Sequence, residues 1–77
     1  MATKIDVSLI IPIYNQADFV ESTTHAYLHA FEKSPLIRSF EIILVSNNCS
    51  DRTPQICATL AKNYSKIKHL DYPYRIL

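Results

Sequence analysis

Two stretches of the chain are apolar almost without interruption. Val7-Ser8-Leu9-Ile10-Ile11-Pro12-Ile13 is the first and Glu41-Ile42-Ile43-Leu44-Val45 the second. A strand with one solvated face alternates polar and apolar residues. A strand covered on both faces reads as a continuous Val/Ile/Leu run, as in parallel α/β sheets. Both stretches therefore predict central parallel strands, the first over Ile5–Ile13. Neither is long enough to cross a bilayer. Pro12 cannot donate to a ladder, so it belongs near the strand's C-terminal end, where pairing stops.

Between the runs the period changes to threes and fours. Phe19, Val20, Thr23, Tyr27, Leu28 and Phe31 predict the buried face of a helix that ends near Lys33, with Ser34-Pro35 stopping it. Asn15 is a plausible N-cap, and Asp18 and Glu21 suit the first turn. After the second run, Ser46-Asn47-Asn48-Cys49-Ser50-Asp51-Arg52 is a polar loop. Thr53 predicts the next N-cap and Pro54 the first helical residue. Ile56, Cys57, Leu60, Ala61 and Tyr64 predict its inner face, with Asn63 or Ser65 closing it. Lys68-His69-Leu70-Asp71 is a weak third strand, and Tyr72–Leu77 carries no assignment.

The pattern is β-α-β-α-β, an α/β class sequence. Right-handed crossovers give a Rossmann-like, three-layer arrangement of parallel strands in the order 3-2-1. In such sheets ligands bind beyond the C-terminal ends of the strands, where Tyr14 and Asn15 follow the first strand. A doubly wound sheet continues past strand one, so the 77 residues read as a single partial domain, 1–77, with an open edge on strand one that invites self-association.

Composition narrows the function. A net charge of +1 with scattered Lys and Arg gives no electrostatic case for nucleic acid or an acidic membrane. A domain this small buries only about 60% of its unfolded surface, so its core is marginal. Two cysteines, Cys49 and Cys57, match neither a disulfide scaffold nor a zinc spacing and read as reduced thiols. Met1–Asp6 is a poor signal peptide. These point to the cytoplasm, with the inner face of a membrane as the alternative. Glycine is absent altogether, so asparagine must serve where φ is positive. Asn47, Asn48 and Asn63 are the candidates.

Several features have plain explanations. His25 and His29 stand at a spacing that can present two imidazoles to zinc, but no third ligand accompanies them and a solvated helix face accounts for them. Cys49 at a helix start could be an activated thiol, yet no histidine is placed beside it by sequence. Asp51 reads as a cap. Asn48-Cys49-Ser50 and Asn63-Tyr64-Ser65 match the glycosylation pattern by chance in a chain with no secretory signal.

Taken together, the two strand motifs resemble family-2 glycosyltransferases. Val7-Ser8-Leu9-Ile10-Ile11-Pro12-Ile13-Tyr14-Asn15-Gln16 is similar to that family's opening Ser-Val-Ile-Ile-Pro-x-Tyr-Asn-Glu. Glu41 to Thr53 is similar to its second strand and loop, Glu-Ile-Ile-Val-Val-Asp-Asp/Asn-Gly/Asn-Ser-Thr-Asp-Gly-Thr. The resemblance runs from Val7 to Asp71 and implies the N-terminal part of a GT-A domain. It implies a UDP- or GDP-sugar as donor, an inverting transfer to an acceptor hydroxyl, and nucleotide contacts at Pro12, Tyr14, Asn15, Ser46, Asn47 and Asn48. Mg²⁺ or Mn²⁺ is implied for the complete enzyme, with its Asp-x-Asp ligands and the catalytic base outside this chain, so the chain alone is expected to be inactive. The sequence departs from the pattern at Gln16, Ser46 and Arg52, where the family has Glu, Asp and Gly. A non-catalytic nucleotide-binding or oligomerising α/β module is the competing reading. A receiver-type domain is a third, but it needs an acidic cluster that Ser46-Asn47-Asn48 does not supply.

Overall fold

The computed structural model describes residues 5–75, so the N-terminal Met1–Lys4 stretch and the last two residues lie outside the described part. Five elements follow one another: β1 (Val7–Ile13), α1 (Val20–Lys33), β2 (Phe40–Asn47), α2 (Thr53–Asn63) and β3 (Ile67–Tyr72). The strands form one parallel sheet in the order β1-β2-β3, with β2 in the middle. This is the expected Rossmann-like α/β unit. No helix among the described residues is long and apolar enough to cross a membrane.

The chain steps the same way across the sheet twice. With right-handed crossovers, α1 and α2 must then lie on the same face. Burial confirms it. On that face Ile13, Phe40, Ile42, Leu44 and Ile67 pack with Val20 and Leu28 of α1 and Cys57 and Leu60 of α2 into one core. Ile42 and Leu44 are fully buried. The rings of His25 in α1 and Tyr64, just past α2, meet at right angles with centroids 5.3 Å apart. At the N-terminal end of the strands, the Phe40 ring holds Phe31 edge-on and carries the Lys66 ammonium over its face.

The unit thus supplies the sheet and one helical layer of the three-layer arrangement. The opposite face is open among the described residues. Ile10 and Leu70 are 61% and 49% exposed there, and Ile43 and Val45 are half-buried. The expectation that the apolar runs are covered on both faces is corrected: burial alternates along β1 and β2, because both crossovers fall on one side.

The same topology explains Pro12. Val7 donates its N–H to Ser39 and Ile42 to Lys66. In a parallel ladder each residue's N–H and C=O point to the same neighbour, and the side alternates. Odd residues of β1 therefore bond to β2, while Ser8, Ile10 and Pro12 face the outer edge. Proline's missing donor falls on the unpaired side. Pro12 lies at the C-terminal end of the strand, as expected, and pairing runs one residue past it: Pro12 is in register with Val45 and Ile13 with Ser46.

Two helix details also shift. In α1 the buried residues are Val20, Thr24 and Leu28, with Phe31 half-buried, while Phe19, Thr23 and Tyr27 are exposed. Residues 19, 23 and 27 form the adjacent stripe, turned about 100° from the one that meets the sheet. Asn15 is not its N-cap; α1 starts five residues later, at Val20. In α2 the cap position is Arg52, and Thr53 is already helical. Asp51 takes the N–H and the hydroxyl of Thr53, so the capping carboxylate stands just outside the helix.

Leu44→Ala removes a fully buried side chain at the sheet centre and should cost about 2–5 kcal/mol. Ile10→Ala on the open face should change stability by less than about 0.5 kcal/mol. Chemical denaturation of the two variants checks the one-sided core.

Candidate functional site

Two loops leave the C-terminal ends of β1 and β2 and run side by side. Asn15 and Asn48, one in each loop, are the described residues with positive φ, at 47° and 56°. With no glycine to take left-handed positions, asparagine fills them, since its short polar side chain tolerates that region. The prediction holds for Asn48. Asn47 instead ends β2, and Asn63 lies in α2.

Asn15 is the knot between the loops. Its side-chain oxygen accepts from Ser50 N–H at 2.8 Å and Asp51 N–H at 3.3 Å, and its amide donates to the Ser50 hydroxyl at 3.2 Å. Its own N–H reaches the Cys49 sulfur at 3.4 Å. The next two residues continue the seam. Gln16 N–H donates to the Thr53 hydroxyl at 2.9 Å and Ala17 N–H to the Asp51 carboxylate at 3.2 Å. The bond from the Thr53 hydroxyl, with those from the Thr53 and Ala17 N–H groups, holds the Asp51 carboxyl below its usual range, against a smaller opposing effect of burial.

Beside this seam opens a cleft of about 420 Å³ lined by Pro12, Ile13, Tyr14, Asn47, Asn48 and Arg75. Tyr14 is 60% exposed and offers its ring at the rim. Asn47 is nearly buried, and both its N–H groups are committed, to the carbonyls of Tyr72 at 3.2 Å and Tyr74 at 2.8 Å. An amide so held has only its oxygen left to offer.

Of the six residues expected to contact a ligand, four line the cleft: Pro12, Tyr14, Asn47 and Asn48. Two do not. Asn15 spends its side chain on the loop seam. Ser46 points to the helix side, because side chains alternate along a strand and Asn47 takes the other face. Ser46 is fully buried, its hydroxyl 2.7 Å from Asp71 Oδ1 and 2.8 Å from His69 Nε2. The sequence reading missed Arg75. The available signal was its place beyond the C-terminal end of β3, three residues past Tyr72, on the side of the sheet where Tyr14 and Asn48 directly follow their strands.

The cleft lining holds two amides, a phenol and a guanidinium but no carboxylate, which does not fit Mg²⁺ or Mn²⁺. Among the described residues no three His, Cys, Asp or Glu side chains are grouped to hold a metal. Cys57 is buried beneath the loops, and that burial pushes its thiol up to about 11, with the charges of Cys49, Asp71 and Asp51 adding to it. It is inert at neutral pH.

The family model for glycosyl transferase family 2 matches residues 8–75, nearly the whole chain. The chain belongs to glycosyl transferase family 2. A relative of known kind is "Glycosyltransferase AglD" of Haloferax volcanii, 32% identical over 68 residues, which are 88% of this chain and 11% of that protein. The chain thus spans about a ninth of that relative's length. The parallel β1-β2-β3 unit with its helices is what the N-terminal part of a GT-A domain requires, and the cleft lies where the two strand motifs meet.

Burial lowers the pKa of His69, with the Asp71 charge opposing in part. The fold therefore favours neutral His69, and the unfolded chain binds the extra proton first as pH falls. The stability due to this group is complete above the ordinary histidine value, 6.5, and declines as pH falls through and below it. Denaturation midpoints at pH 7.5 and 5.5 should show the loss, and His69→Gln should reduce it.

Proposed function

We propose that this chain holds the nucleoside diphosphate part of an activated sugar, as the donor-binding portion of a glycosyltransferase. The observation that carries the reading is the convergence of Tyr14, Asn47 and Arg75 on one cleft at the strand ends. The Tyr14 ring stacks on the base, and Pro12 shapes the wall beneath it. The Asn47 oxygen accepts from the imide of uracil or the lactam N–H of guanine. Asn48, with its left-handed backbone, turns the loop clear of the ribose. Arg75 faces the diphosphate, whose charge a guanidinium matches through paired donors.

In the complete protein an acceptor hydroxyl attacks the anomeric carbon from the face opposite the leaving group. The bond from that carbon to the diphosphate oxygen breaks, the nucleoside diphosphate departs, and the hydroxyl proton passes to a base. The anomeric centre inverts. The base and the Mg²⁺ or Mn²⁺ that would neutralise the leaving diphosphate belong to parts of the protein beyond these residues, so the chain alone binds without transferring. The free thiols of Cys49 and Cys57 support a reducing, cytoplasmic setting.

One observation favours a second reading. The outer edge of β1 presents the N–H groups of Ser8 and Ile10 unpaired by the described strands, next to the open apolar face. We propose that isolated copies associate through this edge. Light scattering should show oligomers at micromolar concentration, and a monomer throughout that range would contradict it.

Titration with UDP and GDP, followed by amide shifts, tests the donor reading. Shifts should centre on Tyr14, Asn47 and Asn48. Tyr14→Ala should weaken binding by about tenfold or more, since losing a base-stacking ring costs about 1–3 kcal/mol. Leu36→Ala, at the opposite end of the strands, should leave it unchanged. No response to either nucleotide would overturn the proposal.

A further inference from the structure

Ladder pairing of β3 ends at Tyr72, opposite Asn47, yet the cleft needs Arg75 three residues further on. Pro73 has no N–H to help. The register of β3 is also weakly specified by apolar packing. Of its helix-side residues only Ile67 is an aliphatic core member; the other two are His69 and Asp71. A slip of one residue would turn Asp71 to the open face and move both carbonyls that hold Asn47.

We propose that Ser46, His69 and Asp71 are positioning residues that pin the register of β3 and so place Asn47 and Arg75 at the cleft. Ser46 and Asp71 are direct register partners, and His69 stands two residues back on the same face. The single Ser46 hydroxyl proton goes to the Asp71 carboxylate, which can only accept. The His69 contact must then run from Nε2–H to the Ser46 oxygen. Each group has the partner that only this register supplies. On the other face, one residue along, Asn47 holds the carbonyls of Tyr72 and Tyr74, and Asn48 N–H bonds to Tyr72 at 2.8 Å. The strand end is thus gripped from both sides: the buried Ser46 hydroxyl with His69 and Asp71 beneath, amide donors above. Ser46 takes the place of the family's aspartate. A carboxylate there would face Asp71 and lose the neutral bridge.

The part of this proposal that concerns ligand binding rests on the donor-site reading, whereas the register claim is testable without ligand. Hydrogen exchange is measured at the Asn48 amide and the Asn47 side-chain amide, with Ile42 and Leu44 amides as core references. Ser46→Ala and His69→Leu should each speed exchange at the two asparagine sites by about tenfold or more while leaving the references within about twofold, given the strength of hydrogen bonds to charged groups. His69→Gln, which keeps a donor near Nε2, should restore wild-type protection. If Ser46→Ala does not fold, His69→Leu against His69→Gln decides alone. Uniform acceleration across the sheet, or no change at Asn47 and Asn48, overturns the proposal. UDP affinity should fall with the loss of protection and recover in His69→Gln; protection lost with UDP affinity intact also overturns it. A wild-type chain that binds neither UDP nor GDP defeats the donor reading instead, and exchange alone then decides the register claim.

Discussion

A single asparagine holds the loops after β1 and β2 together. Asn15 sits in the left-handed region and turns its amide across to the β2–α2 loop, where it meets Ser50 and Asp51. The chain has no glycine, so this turn cannot be made by a residue lacking Cβ. For most residues a left-handed backbone costs about 1–2 kcal/mol. Asparagine offsets it with hydrogen bonds that no glycine could make. The backbone requirement and the cross-loop bridge are met by one side chain. Thr53 and Asp51 extend that bridge into the first turn of α2, so the loops are tied to a helix and not only to one another.

The one-sided fold decides what the rest of the surface is for. Among the described residues, two right-handed crossovers in the same direction leave one sheet face uncovered and put β1 at an edge. The strand ends are left with loops from two adjacent β-strands and the exit of a third. That is the ligand position common to open α/β sheets. Of the motif residues, Pro12, Tyr14, Asn47 and Asn48 line the cleft, Asn15 knits the loops and Ser46 bonds to β3 beneath.

The element order, the parallel sheet and its strand order were legible in the sequence, because apolar runs separated by helical periodicity admit few topologies. Burial was less legible. Ile10 and Ile43 read as doubly covered, since an apolar run looks the same whether its second face meets a helix in this chain or lies open. In α1 the stripes through Phe19 and through Val20 differ by one residue, and the apolar pattern drew from both: Val20, Leu28 and Phe31 meet the sheet, whereas Phe19, Thr23 and Tyr27 are exposed. Tyr14, Asn47 and Asn48 could be placed at the C-terminal ends of the strands, where the cleft lies, from strand ends alone. Asn15 and Ser46 could not be told from contacts, because a polar residue beside a cleft and a polar residue holding it have the same composition. Only the strand's alternation separates Ser46 from Asn47, and it needs the register. Arg75 follows a strand that its sequence barely announces, so nothing local drew notice to it.

The central claim is that Asn15 fastens the two loops into one rigid wall. Hydrogen exchange at the Ser50 and Asp51 amides tests it most directly, in the wild type and in Asn15→Gly, which keeps the left-handed backbone and deletes the bridge. The account requires protected amides in the wild type and exchange approaching that of an open loop in Asn15→Gly, with Leu44 unaffected. Equal rates in the two proteins at Ser50 and Asp51 would contradict it.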